Sequence, residues 1–109
     1  MFVSTSDDDL RAFPVDARRE AGYQLFVVQS GQEPSDWKPM PTIGPGCREI
    51  RIRADRNAYR VFFVATVGEV VYVLHCFQKT TQRTARADIG LGQQRYKQMT
   101  ALIRDQEKP

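Results

Sequence analysis

Four side chains of this 109-residue sequence, Arg51, Arg60, His75 and Lys79, have types and spacings that suit one chemistry. Guanidinium forks grip phosphate oxygens through paired N–H donors, and lysine and histidine can carry protons at a reacting oxygen. The spacing predicts that they meet. Gly68-Glu69, between two valine-rich runs at 59–67 and 70–77, reads as a type II′ hairpin turn. Val67 then faces Val70, Phe62 faces His75 and Arg60 faces Phe77, with Lys79 next on the same side. A four-residue loop at 54–57 pairs Arg51 with Arg60 and Arg53 with Ala58, so that Glu49, Arg51 and Arg53 join that face. A five-residue loop would drive the Arg51 charge into the apolar side. Cations interleaved with Phe62 and Phe77 suit a phosphodiester and its bases, and equally a solvated basic face partly covered by a helix.

Taken singly, each residue also has a plainer role. A lone histidine on a sheet more often satisfies hydrogen bonds than it catalyses, and Arg51 can simply pair with Glu49 or Glu69. Cys47 and Cys76 read as small apolar residues. Asp7, Asp8 and Asp9 suit the positive end of a helix better than a metal. One histidine and two cysteines exclude a zinc framework and a disulfide-dense scaffold, and no Ser-His-Asp set, phosphate loop or nucleotide-binding glycine fingerprint is present.

The elements that must position these groups follow from pattern. Ser6 is a candidate cap for a short helix with Leu10 and Phe13 on one face, ended by Pro14. Val15, Gly22, Leu25 and Phe26 recur as the stripe of a second helix that stops near Ser30-Gly31. Residues 31–46 hold four prolines and three glycines and read as a long semi-rigid loop, with Trp37 pinning it to the core. Ile50 and Ile52 alternate with Glu49, Arg51 and Arg53 as a half-buried strand, and the runs at 59–67 and 70–77 are central strands. With Val67 facing Val70, Tyr59, Val61, Phe63, Ala65, Tyr72, Leu74 and Cys76 share the helix-covered core face. Thr84 is a candidate cap for a last helix with Ile89, Gly92, Tyr96, Met99 and Ile103 on one stripe, irregular at first because of Gly90 and Gly92.

Composition sets the class. At 41% hydrophobic and 27% charged the chain is an ordinary globular domain, spanning 1–109 as one unit, with no run long enough to cross a bilayer and no signal-like opening, so the cytoplasm is the expected location. The formal charge of +3 is uneven. Residues 1–47 hold four basic and seven acidic side chains, whereas residues 48–109 hold twelve and six. An anionic partner belongs on the second half.

The segments Arg48-Glu49-Ile50-Arg51, Tyr59-Arg60-Val61 and Tyr72-Val73-Leu74-His75-Cys76-Phe77-Gln78-Lys79, with the tail through Arg83-Thr84 and Asp88-Ile89 to Arg95-Tyr96, resemble the phage-derived HigB-type toxins of the RelE/ParE superfamily. The resemblance covers nearly the whole chain. It implies an α+β fold, a small antiparallel sheet with two N-terminal helices on one face and a C-terminal helix. It implies a toxin of a type II toxin-antitoxin system, a metal-independent endoribonuclease without cofactor that cleaves messenger RNA on the ribosome. Its partner would be a helix-turn-helix antitoxin, and no membrane is involved. Carried over by position, Arg51, Arg60 and Lys79 are the basic active-site places. Tyr96 lies near the cleft, and His75 belongs to the motif as a possible acid. Arg53, Phe77, Arg83 and Arg95 are expected to contact RNA. The cleft is expected to work without an acidic base. The sequence departs from the pattern at Thr80, where a second lysine is usual, at Thr84-Ala85 instead of Thr-Pro, and in a first strand reduced to Phe2-Val3. A gyrase poison of the same fold and a non-catalytic or decayed binding module are the alternatives.

Overall fold

Two hairpins decide where the basic side chains go. The computed structural model describes residues 1–66 and 70–107. Helices α1 (Ser6–Arg11) and α2 (Val15–Gln29) precede strands β1 (Trp37–Pro39), β2 (Cys47–Ala54), β3 (Asn57–Ala65) and β4 (Val71–Lys79), and α3 (Arg86–Gln106) closes the chain. The strands form one antiparallel sheet in the order β1-β2-β3-β4, giving the expected α+β fold with two N-terminal helices and one C-terminal helix.

The first hairpin keeps the expected register, with Arg51 opposite Arg60 and Arg53 opposite Ala58, but its loop is shorter than four residues. Ala54 already pairs with Asn57, leaving Asp55 and Arg56 as a two-residue turn at φ 50° and 67°. Both are left-handed, which is the type I′ geometry that matches strand twist. In the second hairpin Phe62 faces His75 and Arg60 faces Phe77 as expected, yet Phe63 faces Val73, so the register slips by one between Phe62 and Phe63. The expected Gly68-Glu69 turn and Val67–Val70 pairing lie outside the described residues.

That bulge corrects the assignment of faces. Val71 and Val73 join Tyr59, Val61, Phe63, Cys76, Ile50 and Ile52 under α1 and α2, whereas Tyr72 and Leu74 join Phe62, Val64 and Phe77 under α3. An extra residue in one strand sends two successive side chains to one side, so Leu74 and His75 both meet α3. Both sheet faces are therefore covered.

Other local expectations shift for physical reasons. Ser6 lies inside α1 rather than capping it, and its hydroxyl donates to the Val73 carbonyl at 2.8 Å. In α2 the buried residues are Ala17, Ala21, Gln24 and Val28. The larger Val15, Tyr23 and Phe26 face outward, Phe26 at 64% exposure, because small side chains let the helix lie close to β2 and β3. The proline-rich stretch contains β1, and Trp37 is half-buried with the Arg48 guanidinium 4.3 Å from its ring centre. Helix α3 starts after Ala85, not at a Thr84 cap, and runs regularly through Gly90 and Gly92. Gly92 is needed for close approach: a Cβ there would meet Ile43 Cδ1 at 2.8 Å and Phe62 Cδ2 at 3.0 Å. The Phe2-Val3 segment covers part of the outer edge of β4 through a parallel bridge from Phe2 to Val73.

Candidate phosphate-binding site

Strand alternation carries Glu49 and Arg51 of β2, Arg60 of β3 and Lys79 of β4 to the α3 side of the sheet, and β1 adds Lys38 directly opposite Glu49. Glu49 is the centre. Its side chain is 0% exposed, with Oε1 3.4 Å from Arg60 Nε, 3.5 Å from Arg51 Nε and 4.0 Å from Lys38 Nζ. Four cations around one carboxylate leave the cluster at +3.

The contacts are ionic rather than well-formed hydrogen bonds. Glu49 Oε1, Arg51 Nε and Arg60 Nε are buried and have no hydrogen-bond partner among the described residues. Arg60 is held by a bond from one terminal nitrogen to the Tyr59 carbonyl at 3.0 Å, while Arg51 and Lys38 remain about two-fifths exposed, at 37% and 40%. A cleft of about 160 Å³ opens beside them, lined by Asp36, Arg51, Ile52, Arg53 and Arg60. Partial burial, aided by the Arg60, Lys38 and Arg51 cations, holds the Lys79 amine below the ordinary lysine range, and Glu49 opposes that shift. Burial likewise lowers Arg60, with Arg51 and Arg53 adding to it against Glu49 and Asp36. A guanidinium stays charged regardless.

Helix α3 begins at the border of the cluster. The Thr84 hydroxyl lies 3.5 Å from Glu49 Oε2, and the helix start has no side-chain cap. Its first N–H groups add positive potential on that side.

The sequence-predicted residues divide accordingly. The sheet brings Arg51, Arg60 and Lys79 to one face, and Leu74, expected on the far side, shares it through the bulge. Arg53 is exposed at the cleft rim. Phe77 is buried beneath, edge-on to Phe62 at 5.1 Å and stacked on His75 at 4.9 Å, so its ring is packing rather than an open platform. Arg83 is exposed between β4 and α3.

His75 and Arg95 sit in a separate buried network. In the tautomer protonated at Nε2, His75 donates to Asp88 Oδ1 at 2.7 Å, and Nδ1 accepts from Arg95 at 3.2 Å. Arg95 also donates to Asp9 Oδ2 at 2.7 Å, the Leu74 carbonyl at 3.0 Å and the Thr5 hydroxyl at 3.0 Å. These bonds tie α1, β4 and α3 together and leave Arg95, at 7% exposure, no reach to a surface ligand. Tyr96 is turned to the other end of the sheet face, donating to the Pro45 carbonyl at 2.7 Å, with its ring against Gly44. Both thiols are inert by burial: Cys47 is pushed up to about 12, with Glu49 adding to the effect, and Cys76 is raised further.

Glu49 sits on the face that alternation assigned to it, and Asp36 lines the cleft with Arg51, Arg53 and Arg60. One member was missed in the sequence. Lys38 gave no signal, since a three-residue strand among prolines has no readable period. Among the described residues no group of acidic, histidine and cysteine side chains is arranged to hold a metal, and no helix is long and apolar enough to cross a membrane.

A family model described as "Phage derived protein Gp49-like (DUF891)" matches residues 8–97. No curated protein matches the chain.

Proposed function

The chain belongs to the Gp49-like family of phage-derived proteins, within the RelE/HigB-like toxins, and from that premise we propose that it is an mRNA interferase, a ribosome-dependent endoribonuclease of a type II toxin-antitoxin system. The observation that carries the reading is the +3 cluster of Lys38, Arg51, Arg60 and Lys79 around buried Glu49. Arg51 and Lys38 keep part of their charged ends exposed and Arg51, Arg53 and Arg60 line the adjoining cleft, which suits a phosphodiester.

The substrate's own 2′-hydroxyl serves as nucleophile. The O2′–phosphorus bond forms as the phosphorus–O5′ bond breaks, yielding a 2′,3′-cyclic phosphate and a 5′-hydroxyl. Arg60 and Arg51 bind the non-bridging oxygens and stabilise the charge that grows on them. Lys79, the amine whose neighbours favour its neutral form, takes the 2′-hydroxyl proton. Protonated in turn, it supplies the proton to O5′. Glu49 is closed to solvent and acts as a positioning carboxylate: it holds the Nε edges of both guanidinium groups and leaves their outer edges to the ligand. Arg53 and Arg83, exposed beside the cleft and after β4, attach the RNA strand. His75 and Tyr96 support the fold that carries this cluster.

Expression without a partner is expected to arrest growth and to leave breaks inside translated messages, with 5′-hydroxyl ends, while untranslated RNA stays largely intact. Growth arrest with intact messages and broken DNA would instead favour a gyrase poison.

A further inference from the structure

At the sheet edge remote from β1, the outer face of α2 and the Phe2-Val3 segment enclose an apolar groove of about 220 Å³. Val71 and Val73 floor it, Gly22, Leu25 and Phe26 form one wall, and Phe2, 42% exposed, forms the other. Three observations say what kind of occupant fits.

The first is backbone. Val3 donates to the Val73 carbonyl and Val73 donates to the Met1 carbonyl, so the pairing groups of residues 1 and 3 point toward β4. Those of Phe2, between them, point outward and have no partner among the described residues, which is an open strand edge. The second is Gly22. Mid-helix glycine is less stable than alanine by about 1 kcal/mol, and a Cβ there would meet nothing within 4 Å. The chain itself has no packing use for the missing side chain, whereas an occupant lying along α2 does. The third is charge. Arg18 stands one turn before Gly22, Arg19 stands two turns before Phe26, and both are exposed and without an ion pair among the described residues. A second copy of the chain would set these arginines against each other across a two-fold axis.

We infer that this groove docks an extended, acidic and apolar segment of the toxin's protein antitoxin, which adds a strand at Phe2 and lays alternate apolar side chains against Gly22 and Phe26. The inference rests on the toxin reading above. Docking here leaves the Glu49 cluster, on the opposite face of the sheet, to be covered by another part of the partner or not at all.

The experiment co-expresses the full chain with the products of the reading frames that flank its gene, and compares hydrogen exchange of the co-purified complex and the free chain. Protection is expected at residues 1–3 and 22–29. Gly22→Leu fills the groove with a good helix former. It is expected to raise the thermal midpoint of the free chain and leave RNA cleavage unchanged, yet to weaken partner binding by about tenfold or more. Arg18→Glu with Arg19→Glu should weaken it in a salt-dependent way. A complex that forms with no protection at the groove, or a Gly22→Leu chain that binds normally, overturns the docking site while leaving the toxin reading intact. A free chain that dimerises until Gly22→Leu abolishes it makes a second copy the occupant and also overturns the inference. If neither flanking product binds at all, the toxin–antitoxin reading itself fails.

Discussion

Glu49 turns a row of like charges into an organised site. Arg51 and Arg60 face each other across a strand pair, an arrangement that is destabilising unless something anionic lies between them, and the buried carboxylate fills that place. It also opposes the lowering of the Lys79 amine. Burial, Arg60, Lys38 and Arg51 disfavour the ammonium, and Glu49 favours it. Cleavage that uses neutral Lys79 as base should therefore rise with pH and level off below the ordinary lysine value of 10.5. Glu49→Gln should move that rise to lower pH, because the cations then act unopposed. A pH–rate profile measured on both proteins checks this, and a rise that stays put assigns the proton to another group. Tyr96→Phe should lower stability by about 0.5–1.5 kcal/mol through loss of one hydrogen bond and leave the rate of cleavage unchanged. At this scale, alternation made Arg51, Arg60 and Lys79 legible in the sequence. The sequestering of His75 and Arg95 was not, because it depends on Asp9 and Thr5, some 70–90 residues away along the chain and invisible to local spacing.

The elements hold this cluster through the β2–β3 turn and one close approach, and each makes a prediction with a sign. The β2–β3 turn forces Arg56 to φ 67°, so Arg56→Gly should stabilise the protein by about 1 kcal/mol in urea unfolding. Two glycines of α3, Gly90 and Gly92, behave oppositely. Gly90→Ala meets open space and should stabilise by about 0.8–1 kcal/mol. Gly92→Ala strikes Ile43 and Phe62 and should destabilise by about 1–3 kcal/mol, with the same unfolding measurement separating the two. Register in the first hairpin was legible because only one pairing kept Arg51 out of an apolar face. The bulge at Leu74 was not, since a run of apolar residues on both faces of β4 reads the same in either register. The α2 stripe misled for a related reason: ranking by size favours Val15 and Phe26, but packing chose the alanines.

As a whole the molecule carries cations on the α3 face of its sheet, from Lys38 of β1 to Lys79 of β4, and an apolar groove on the opposite face at the β4 edge. The charge imbalance between the halves of the sequence pointed to the first, and the second was hidden because its wall is the helix face that pattern reading had turned inward. A site of this charge should bind RNA in a strongly salt-dependent manner, and Arg83→Ala should flatten that dependence while largely sparing the chemical step. The most direct test of the central claim is cleavage of translated messages by the folded Arg60→Ala/Lys79→Ala double variant, read as 5′-hydroxyl ends mapped after induction. Loss of a single charge-stabilising donor typically removes about 2.7–4 kcal/mol of transition-state stabilisation, roughly a hundred- to thousandfold in rate, so Arg60→Ala alone should nearly silence the activity and the double variant abolish it. A double variant that folds and still cuts messages at the wild-type rate would contradict the account.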